Sequence, residues 1–264
     1  MAAIPAQSAE LVLRDDRDGV CTLWLNRPLQ FNALSEAMLD ALQARLAEVA
    51  TDPAVRVVVL AASGKAFCAG HDLREMQASR RLDDYQRLFT RCCGMMQQIQ
   101  ALPVPVIARV HGIATAAGCQ LVATCDLAIA ADTARFAVSG INVGLFCATP
   151  SVALSRNVST KRAFDMLVSG RFIDAATAAD WGLINQTVPE AELDAAVAAK
   201  AAEIVAKSAA AIRHGKAMFY RQRELPVAEA YALAAGAMAC NMMEEDADEG
   251  LQAFLAKRAP HWRS

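Results

Sequence analysis

The sequence predicts an α/β fold with a helical last third, and three observations support this. Short β-branched apolar runs of strand length alternate with segments of helical periodicity. A loop rich in small residues follows each of two such runs. From Thr149 onward, one helical segment follows another, and the only strand candidate is Ile184 to Val188. We therefore expect a sheet built from βαβ units, followed by a bundle of helices.

The first elements alternate between strand and helix. Val20 to Leu25 has the length and composition of a strand, and Ser35 is a suitable N-cap for the helix that follows. That helix has apolar residues at spacings of three and four, namely Leu39, Leu42, Leu46 and Val49. Arg56 to Ala62 is a β-branched run typical of a strand buried on both faces.

The same alternation continues to about residue 131. We predict a helix from Leu82 to Ala101, a strand from Val106 to Val110, a helix from Gly118 to Thr124 and a strand from Leu127 to Ala130. The sequence pattern changes near residue 200. We therefore assign residues 1–200 to the core and residues 201–264 to a C-terminal helical region.

Charge and hydropathy exclude two classes of partner. The net charge of -2 provides no basic field that would gather nucleic acid or an anionic membrane surface. The longest uncharged stretch, Phe136 to Arg156, contains serine, asparagine, threonine and proline, which a lipid-facing helix would not carry together. We expect neither nucleic acid nor membrane as a partner.

Cysteine usage and the first residues predict a reducing compartment. The eight cysteines form no C-x-x-C pair and lie mostly in apolar runs, as expected of reduced thiols that serve as small core residues. Met1 to Glu10 lacks a basic segment followed by an apolar one, so no secretory signal is visible. We expect a cytoplasmic protein.

The two small-residue loops are the candidate ligand site, because ligands of α/β folds bind at the carboxyl ends of parallel strands. In the first loop, Ala69 and Gly70 allow a ligand to approach the backbone and leave the N–H of His71 free to donate. The second loop, Gly112 to Ala117, leads into a helix whose first N–H groups are unpaired. Small residues also serve close packing, so composition alone leaves both interpretations open.

The residues of these loops carry a resemblance to a known family. The segment Ala66-Phe-Cys-Ala-Gly-His-Asp-Leu73 is similar to the A-F-x-A-G-x-D-[LI] loop of enoyl-CoA hydratases and isomerases, the crotonase superfamily. His111-Gly112 to Leu121, with the following Cys125-Asp126-Leu127, is similar to the second motif of that family. Further agreement is found at Asn26-Arg-Pro28, at Asn32-Ala-Leu34 and in the tail from Phe254 to Trp262.

This resemblance implies a crotonase-like ββα spiral core and a bound acyl-CoA thioester. The thioester carbonyl would lie between the backbone N–H groups of His71 and Ala117, an oxyanion hole that requires no metal or nicotinamide cofactor. Coenzyme A, as part of the substrate, would lie along the first loop, with Arg27 and Lys257 as candidates for its phosphates. The implied loop contacts are Ala66, Phe67, Ala69, Gly70, Asp72 and Leu73. The C-terminal helices would form a homotrimer or hexamer.

One departure from the family pattern concerns the chemistry. Hydratases of this family carry two glutamates that deliver water and a proton, and the motif register places Gln120 and Gly140 at those positions. Ala148 stands near the position where other relatives place an aspartate. None of these residues exchanges a proton near neutral pH, and each positioned acid or base contributes about 10²–10⁴-fold. The residues therefore do not support ordinary hydration.

The substitute groups near these positions have simpler structural interpretations. The candidates are His71, Cys119, Ser139, Asn142 and Cys147. The side chain of His71 is expected to line the site or its rim, and the two cysteines are expected to be packing thiols. Gln120 could orient a water or a substrate oxygen.

The motifs leave three functions open. They resemble most the domain-containing protein 3 branch of this family, whose members share the missing glutamates. One function is an enzyme, a lyase or isomerase that acts on acyl-CoA by another proton-transfer route. The second is a decarboxylase of a malonyl-type CoA ester, although Cys147 stands where such relatives carry a tyrosine. The third is a non-catalytic acyl-CoA-binding scaffold.

Overall fold

The computed structural model describes residues 10–263, and the elements named below all lie within that range. The strands are β1 (Val12–Arg17), β2 (Val20–Leu25), β3 (Val57–Ala62), β4 (Ala66–Cys68), β5 (Val106–Val110), β6 (Ile113–Thr115), β7 (Leu127–Ala131), β8 (Arg135–Ala137), β9 (Ile173–Asp174) and β10 (Gln186–Val188). The helices are α1 (Glu36–Thr51), α2 (Leu73–Ala78), α3 (Leu82–Ala101), α4 (Ala117–Thr124), α5 (Ala148–Leu154), α6 (Thr160–Ser169), α7 (Ala175–Asp180), α8 (Leu193–Val205), α9 (Ala209–Gln222), α10 (Val227–Met242) and α11 (Glu245–Leu255).

The larger sheet has the order β1-β2-β3-β5-β7-β10. All its neighbours are parallel except β1 and β2, which form an antiparallel hairpin. The predicted strands β2, β3, β5 and β7 are confirmed, and β10 lies within the strand candidate at Ile184 to Val188. Strand β1 was missed, although Asp18-Gly19, with φ angles of 51° and 78°, is the dipeptide that such a hairpin turn favours.

A second sheet corrects the prediction of two plain loops. Each small-residue loop contains a three-residue strand, β4 in the first and β6 in the second. The order of this sheet is β4-β6-β8-β9, with β9 antiparallel to β8. The three-residue strands are too short to show a periodic pattern, so their strand conformation is stabilised by pairing with distant segments.

The core lies on both faces of the larger sheet. Alternate residues of β3 point to opposite faces: Val58 and Leu60 join the main core, whereas Val57 and Val59 pack toward α8. Helices α1 and α3 bury their apolar stripes in the main core. The double burial of β3 explains its uninterrupted apolar run.

The predicted helices form, and Ser35 caps α1 as expected. The hydroxyl of Ser35 accepts a hydrogen bond of 3.1 Å from the Met38 N–H at the start of α1. Helix α3 has the predicted bounds, and α4 begins one residue earlier than predicted, at Ala117. No helix among residues 10–263 is long and apolar enough to span a membrane.

The last third of the chain is helical from α5 to α11, with β9 and β10 as interruptions. Helix α9 is anchored to the core through Lys216, whose ammonium group reaches the carboxylate of Asp126 at 2.7 Å. Helix α8 runs through residue 200. The division of the chain at that residue stays a prediction.

Candidate functional site

The first loop turns at Gly70 and leaves one backbone N–H free. Gly70 has φ 88°, a left-handed conformation that favours glycine. Its carbonyl accepts a hydrogen bond of 2.7 Å from the Leu34 N–H, and Asp72 donates to the Leu34 carbonyl. Successive N–H groups of an extended chain point to opposite sides, so the N–H of His71 points away from Leu34.

The second loop brings a helix N-terminus to the same place. Ala116 has φ 50° and ψ −120°, and its N–H donates to the carbonyl of Ala137 at 3.0 Å. The next residue, Ala117, is the first of α4, so its N–H has no intrahelical acceptor. Neither this N–H nor that of His71 has an acceptor in the part of the chain that the structure describes.

Two glycines bring the loops into contact. A β-carbon built on Gly70 would lie 3.1 Å from the backbone nitrogen of Ala117 and 2.9 Å from the β-carbon of Ala116. A β-carbon on Gly118 would lie only 2.1 Å from the carbonyl oxygen of Cys68. The backbones therefore approach more closely than a side chain would allow, which places the N–H of Ala117 next to the turn that precedes His71.

The side chain of Asn32 holds the first loop in position through hydrogen bonds. Its side-chain amide donates 2.8 Å hydrogen bonds to the carbonyls of Ser63 and Ala66, at both sides of the turn before β4. Its side-chain oxygen accepts from the backbone N–H of Arg27 at 2.9 Å. Since Asn32 is fully buried, these bonds are protected from water.

His71 and Ala117, which carry the two free N–H groups, both line a cavity of about 230 Å³. Its walls come from both loops, from α2 and α3, and from residues 139–150. The lining residues are Ala69, His71, Leu73, Met76, Phe89, Ala116, Ala117, Ser139, Gly140, Val143, Leu145, Phe146, Cys147, Ala148, Thr149 and Pro150. None of these residues is an aspartate, glutamate, lysine or arginine, so the cavity is mainly apolar with a few polar groups, as is typical of small-molecule sites.

The side chain of His71 lies at the cavity wall against Phe89. The two ring centroids are 5.4 Å apart in an edge-to-face arrangement. Burial lowers the pKa of His71, and the backbone of Leu34 offsets this only in part, so the ring is neutral at pH 7. Neither ring nitrogen makes a hydrogen bond of normal geometry within residues 10–263. The expectation that this side chain lines the site agrees with its position.

Gln120 lies one helical turn after the Ala117 donor. Its side chain is 4% exposed, and its amide oxygen has no hydrogen-bond partner among the described residues. An amide neither gives nor takes a proton near neutral pH, but a ligand or water could satisfy this oxygen. Gln120 does not belong to the cavity lining.

Gly140 lies on the cavity wall with no space for a side chain. A β-carbon there would lie 2.5 Å from the carbonyl oxygen of Leu145 and 2.8 Å from Sγ of Cys147. The Gly140 N–H donates to that sulfur at 3.3 Å. The space that a side chain at residue 140 would need is thus filled by the chain's own loop.

The thiols near the cavity are not activated. Burial raises the pKa of Cys119 to about 12 and also raises the pKa of Cys147. Both are therefore protonated at neutral pH, in keeping with their interpretation as packing thiols. The other predicted substitutes are Ser139, whose hydroxyl is 2.7 Å from that of Thr115, and Asn142, whose amide donates to Gly170.

The residues predicted to contact coenzyme A fall into distinct groups. Ala69 and Leu73 line the cavity, whereas the side chains of Ala66 and Phe67 are buried in β4. Asp72 caps α2 and pairs with Arg27 at 2.7 Å, and this ion pair together with the capping N–H groups lowers the pKa of the carboxyl despite its desolvation.

Lys257 is exposed after α11, outside the cavity lining. For Arg27 and Lys257, contact with CoA phosphates stays a prediction.

Sequence reasoning missed the apolar walls of the cavity. Met76 and Phe89 come from α2 and α3, and Val143, Leu145 and Phe146 come from the segment before α5. The apolar stripe of α3 was a detectable signal, but it also predicts ordinary core packing. No local pattern distinguishes a residue that lines a cavity from one that fills a core.

A family model and several curated relatives match this chain. The model described as "Enoyl-CoA hydratase/isomerase" matches residues 15–264. The protein named enoyl-CoA hydratase domain-containing protein 3, mitochondrial, from Xenopus laevis is 43% identical over 97% of this chain and 87% of its own length. Its human counterpart is 44% identical over 93% and 81%. These relatives belong to the branch that the loop motifs resemble.

Solved structures give the same result for the fold. A crystal structure described as an enoyl-CoA hydratase from Mycobacterium smegmatis has a TM-score of 0.95 and 60% identity, covering 96% of this chain and 99% of the other. The human enoyl-CoA hydratase domain-containing protein 3 has a TM-score of 0.93 and 42% identity, covering 96% and 100%. The fold and the branch expected from the motifs are both confirmed.

Proposed function

Because this chain belongs to the enoyl-CoA hydratase/isomerase family, we propose that its cavity binds an acyl-CoA thioester. The thioester carbonyl oxygen accepts hydrogen bonds from the N–H groups of His71 and Ala117. The observation that carries this proposal is the pair of unpaired N–H groups, brought together by Gly70 at the wall of one apolar cavity.

Two such donors stabilise negative charge on the thioester oxygen. Removing one donor from an oxyanion hole typically costs about 10²–10³-fold in rate, or about 3–4 kcal/mol. The donors here are backbone groups whose position is set by the turn at Gly70 and the start of α4, so they need no rearrangement when a ligand binds. The site therefore suits a thioester whose carbonyl is polarised toward an enolate.

The proposal assigns acyl-CoA binding and does not assign hydration. Gln120 and Gly140 stand where hydratases carry their glutamates, and neither exchanges a proton at neutral pH. Each missing acid or base removes about 10²–10⁴-fold. If the protein turns over an acyl-CoA, it does so as a lyase or isomerase through another group. A non-catalytic acyl-CoA-binding role remains compatible with the same cavity.

The test of binding removes one donor and keeps the side chain apolar and uncharged. Ala117→Pro deletes the N–H at the first position of α4, a position where proline suits the helix. We expect calorimetry to show that crotonyl-CoA binds about 10-fold more weakly, because one hydrogen bond to the thioester carbonyl is lost. Thr160→Pro, at the first position of α6 and exposed, is the matched control and should bind like the wild type. Equal affinity for all three proteins would contradict the proposed donor.

The test of hydration compares the wild type with Gln120→Glu. We expect the wild type to hydrate crotonyl-CoA several orders of magnitude more slowly than hydratases that retain both glutamates. Gln120→Glu is expected to bind crotonyl-CoA and to remain slow, because Gly140 still provides no second carboxylate. A wild-type rate typical of enzymes would show that another acid-base pair operates.

We also propose that the protein forms a homotrimer or a hexamer through its C-terminal helices. Support comes from large apolar side chains that this part of the chain exposes to solvent. They include Tyr231, Met238, Met243, Phe254 and Leu255, each at least 73% exposed. Light scattering on the purified protein tests this proposal, and a monomeric mass would contradict it.

Two further expectations remain proposals. We propose that the site works without a metal or nicotinamide cofactor, since backbone donors alone polarise the carbonyl. Elemental analysis of the active protein tests this point. We also propose a cytoplasmic location. The relatives named enoyl-CoA hydratase domain-containing protein 3 carry the word mitochondrial in their names. Fractionation of the source cells would decide between the two compartments.

A further inference from the structure

Residues 140–147 form a loop that is closed on itself. The Leu145 N–H donates to the carbonyl of Gly140 at 3.0 Å, and the Gly140 N–H donates to Sγ of Cys147. Gly144, with φ 78°, completes the turn. We call this segment the 140–147 loop. Its ends are joined by hydrogen bonds, so it is a compact part of the cavity wall.

The loop occupies the space that a side chain at residue 140 would need. The obstacles to a β-carbon there are the Leu145 carbonyl and the Cys147 sulfur, both within the loop itself. A carboxylate at this position and the present loop conformation therefore exclude each other. Where hydratases place an acid, this chain places a packed apolar wall.

The loop presents apolar side chains to the cavity. Val143, Leu145 and Phe146 line it and remain 67%, 43% and 43% exposed. The opposite wall is also apolar, with Leu73, Met76 and Phe89. An acyl chain between these walls would cover surface that is now exposed to water, which favours binding of an uncharged chain.

The cavity offers no charged partner to a carboxylate. Among the described lining residues, the polar side chains are His71, Ser139, Cys147 and Thr149. The imidazole is neutral, for the reason given above, and the others are hydroxyls and a protonated thiol. Moving a carboxylate out of water without a cation costs far more than moving a methyl group.

We propose that the 140–147 loop determines the specificity of this site, with Leu145 and Phe146 in contact with the acyl chain. The loop selects CoA thioesters of uncharged acyl groups over those that end in a carboxylate. This inference rests on the proposed acyl-CoA function and goes beyond it by naming the acyl class and the selecting residues. It also disfavours the malonyl-type decarboxylase among the functions left open by the sequence.

The experiment uses two ligands of equal chain length. Butyryl-CoA and succinyl-CoA both carry four acyl carbons and differ in the terminal carboxylate. For the full-length wild type, calorimetry should give at least about 10-fold tighter binding of butyryl-CoA. Leu145→Arg supplies a cation at the wall and should reduce or invert this preference, mainly by a gain in succinyl-CoA affinity. Phe146→Arg is a second variant at an equally exposed position.

A matched control variant and a third ligand distinguish failure of the specificity inference from failure of the proposed acyl-CoA binding. Leu29→Arg adds the same charge at an exposed position outside the cavity and should keep the wild-type preference. Equal wild-type affinity for the two thioesters would overturn the inference, as would an unchanged preference in both folded arginine variants. If neither thioester binds more tightly than free coenzyme A, the proposed function fails as well.

Discussion

A β-carbon on Gly140 would lie 2.5 Å from the carbonyl oxygen of Leu145, well inside the distance that two such atoms tolerate. This relationship means that no side chain at residue 140 fits the present loop conformation. The loop from residue 140 to residue 147 would have to unfold or shift first. The absence of a side chain at residue 140 and the packing of the loop are therefore one structural feature of this site.

Gly140→Ala tests this packing. We expect a loss of about 1–3 kcal/mol in the free energy of unfolding, because the added methyl group meets backbone and sulfur atoms in a packed wall. Crotonyl-CoA binding should weaken in parallel, and urea denaturation together with calorimetry measures both. Gly215→Ala is the control: its β-carbon meets nothing within 4 Å in α9, so stability should rise by up to about 1 kcal/mol. A neutral Gly140→Ala would show that the loop yields easily.

Asn32→Ala tests the support of the first loop. The carbonyls of Ser63 and Ala66 and the N–H of Arg27 lose their partner, so we expect a loss of about 2–4 kcal/mol in the free energy of unfolding. Acyl-CoA binding should fall as well, because the turn before β4 is released. Asn26→Ala, which removes one exposed hydrogen bond to Glu10, should stay within about 0.5 kcal/mol of the wild type. Similar losses for both variants would refute the support role.

Lys216→Met tests the anchor of α9. The ammonium group donates to the carbonyls of Ile99 and Val104 and to Asp126, and only 6% of the side chain is exposed. Removing it leaves the buried Asp126 carboxylate without its cation, and we expect a loss of about 3–5 kcal/mol in thermal or urea unfolding. Lys200→Met, which breaks a solvent-exposed pair with Glu203, is the control with an expected change below about 1 kcal/mol.

The C-terminal tail should detach in acid. The Arg258 guanidinium and the His261 N–H lower the pKa of Glu249 from 4.5 to about 2. A lowered carboxyl pKa means that this contact stabilises the docked tail above about pH 4.5 and is lost as the pH falls toward 2. The indole of Trp262, which donates to the carbonyl of Ala206, reports the change as a red shift in fluorescence. The spectrum of Trp262→Phe provides the background to subtract.

Glu249→Gln should release the tail at neutral pH. The matched control is Glu245→Gln, which removes the more exposed pair with Arg263 and should leave the Trp262 signal unchanged. If Glu249→Gln keeps the native emission at pH 7, the tail is held by other contacts.

The family and the main strands were predictable because their signals are local. Short apolar runs predicted β2, β3, β5 and β7, and a polar, helix-forming segment predicted α3 with its observed bounds. The loop motif from Ala66 to Leu73 predicted the family. The register of the later motifs places Gln120 and Gly140 at the positions of the two acids, and this assignment stays a prediction.

Only the tertiary structure decided how these loops become a site. Strands β4, β6 and β8 have three residues each and are stabilised by pairing between segments tens of residues apart. The cavity wall combines residues as distant as Ala69, Phe89 and Leu145, and the closeness of Gly140 to its own loop is visible only in three dimensions. The sequence determined the local conformations and the chemical groups, because propensity and periodicity act over short stretches. Packing between distant segments determined which groups meet, because that free energy depends on contacts that no local pattern encodes.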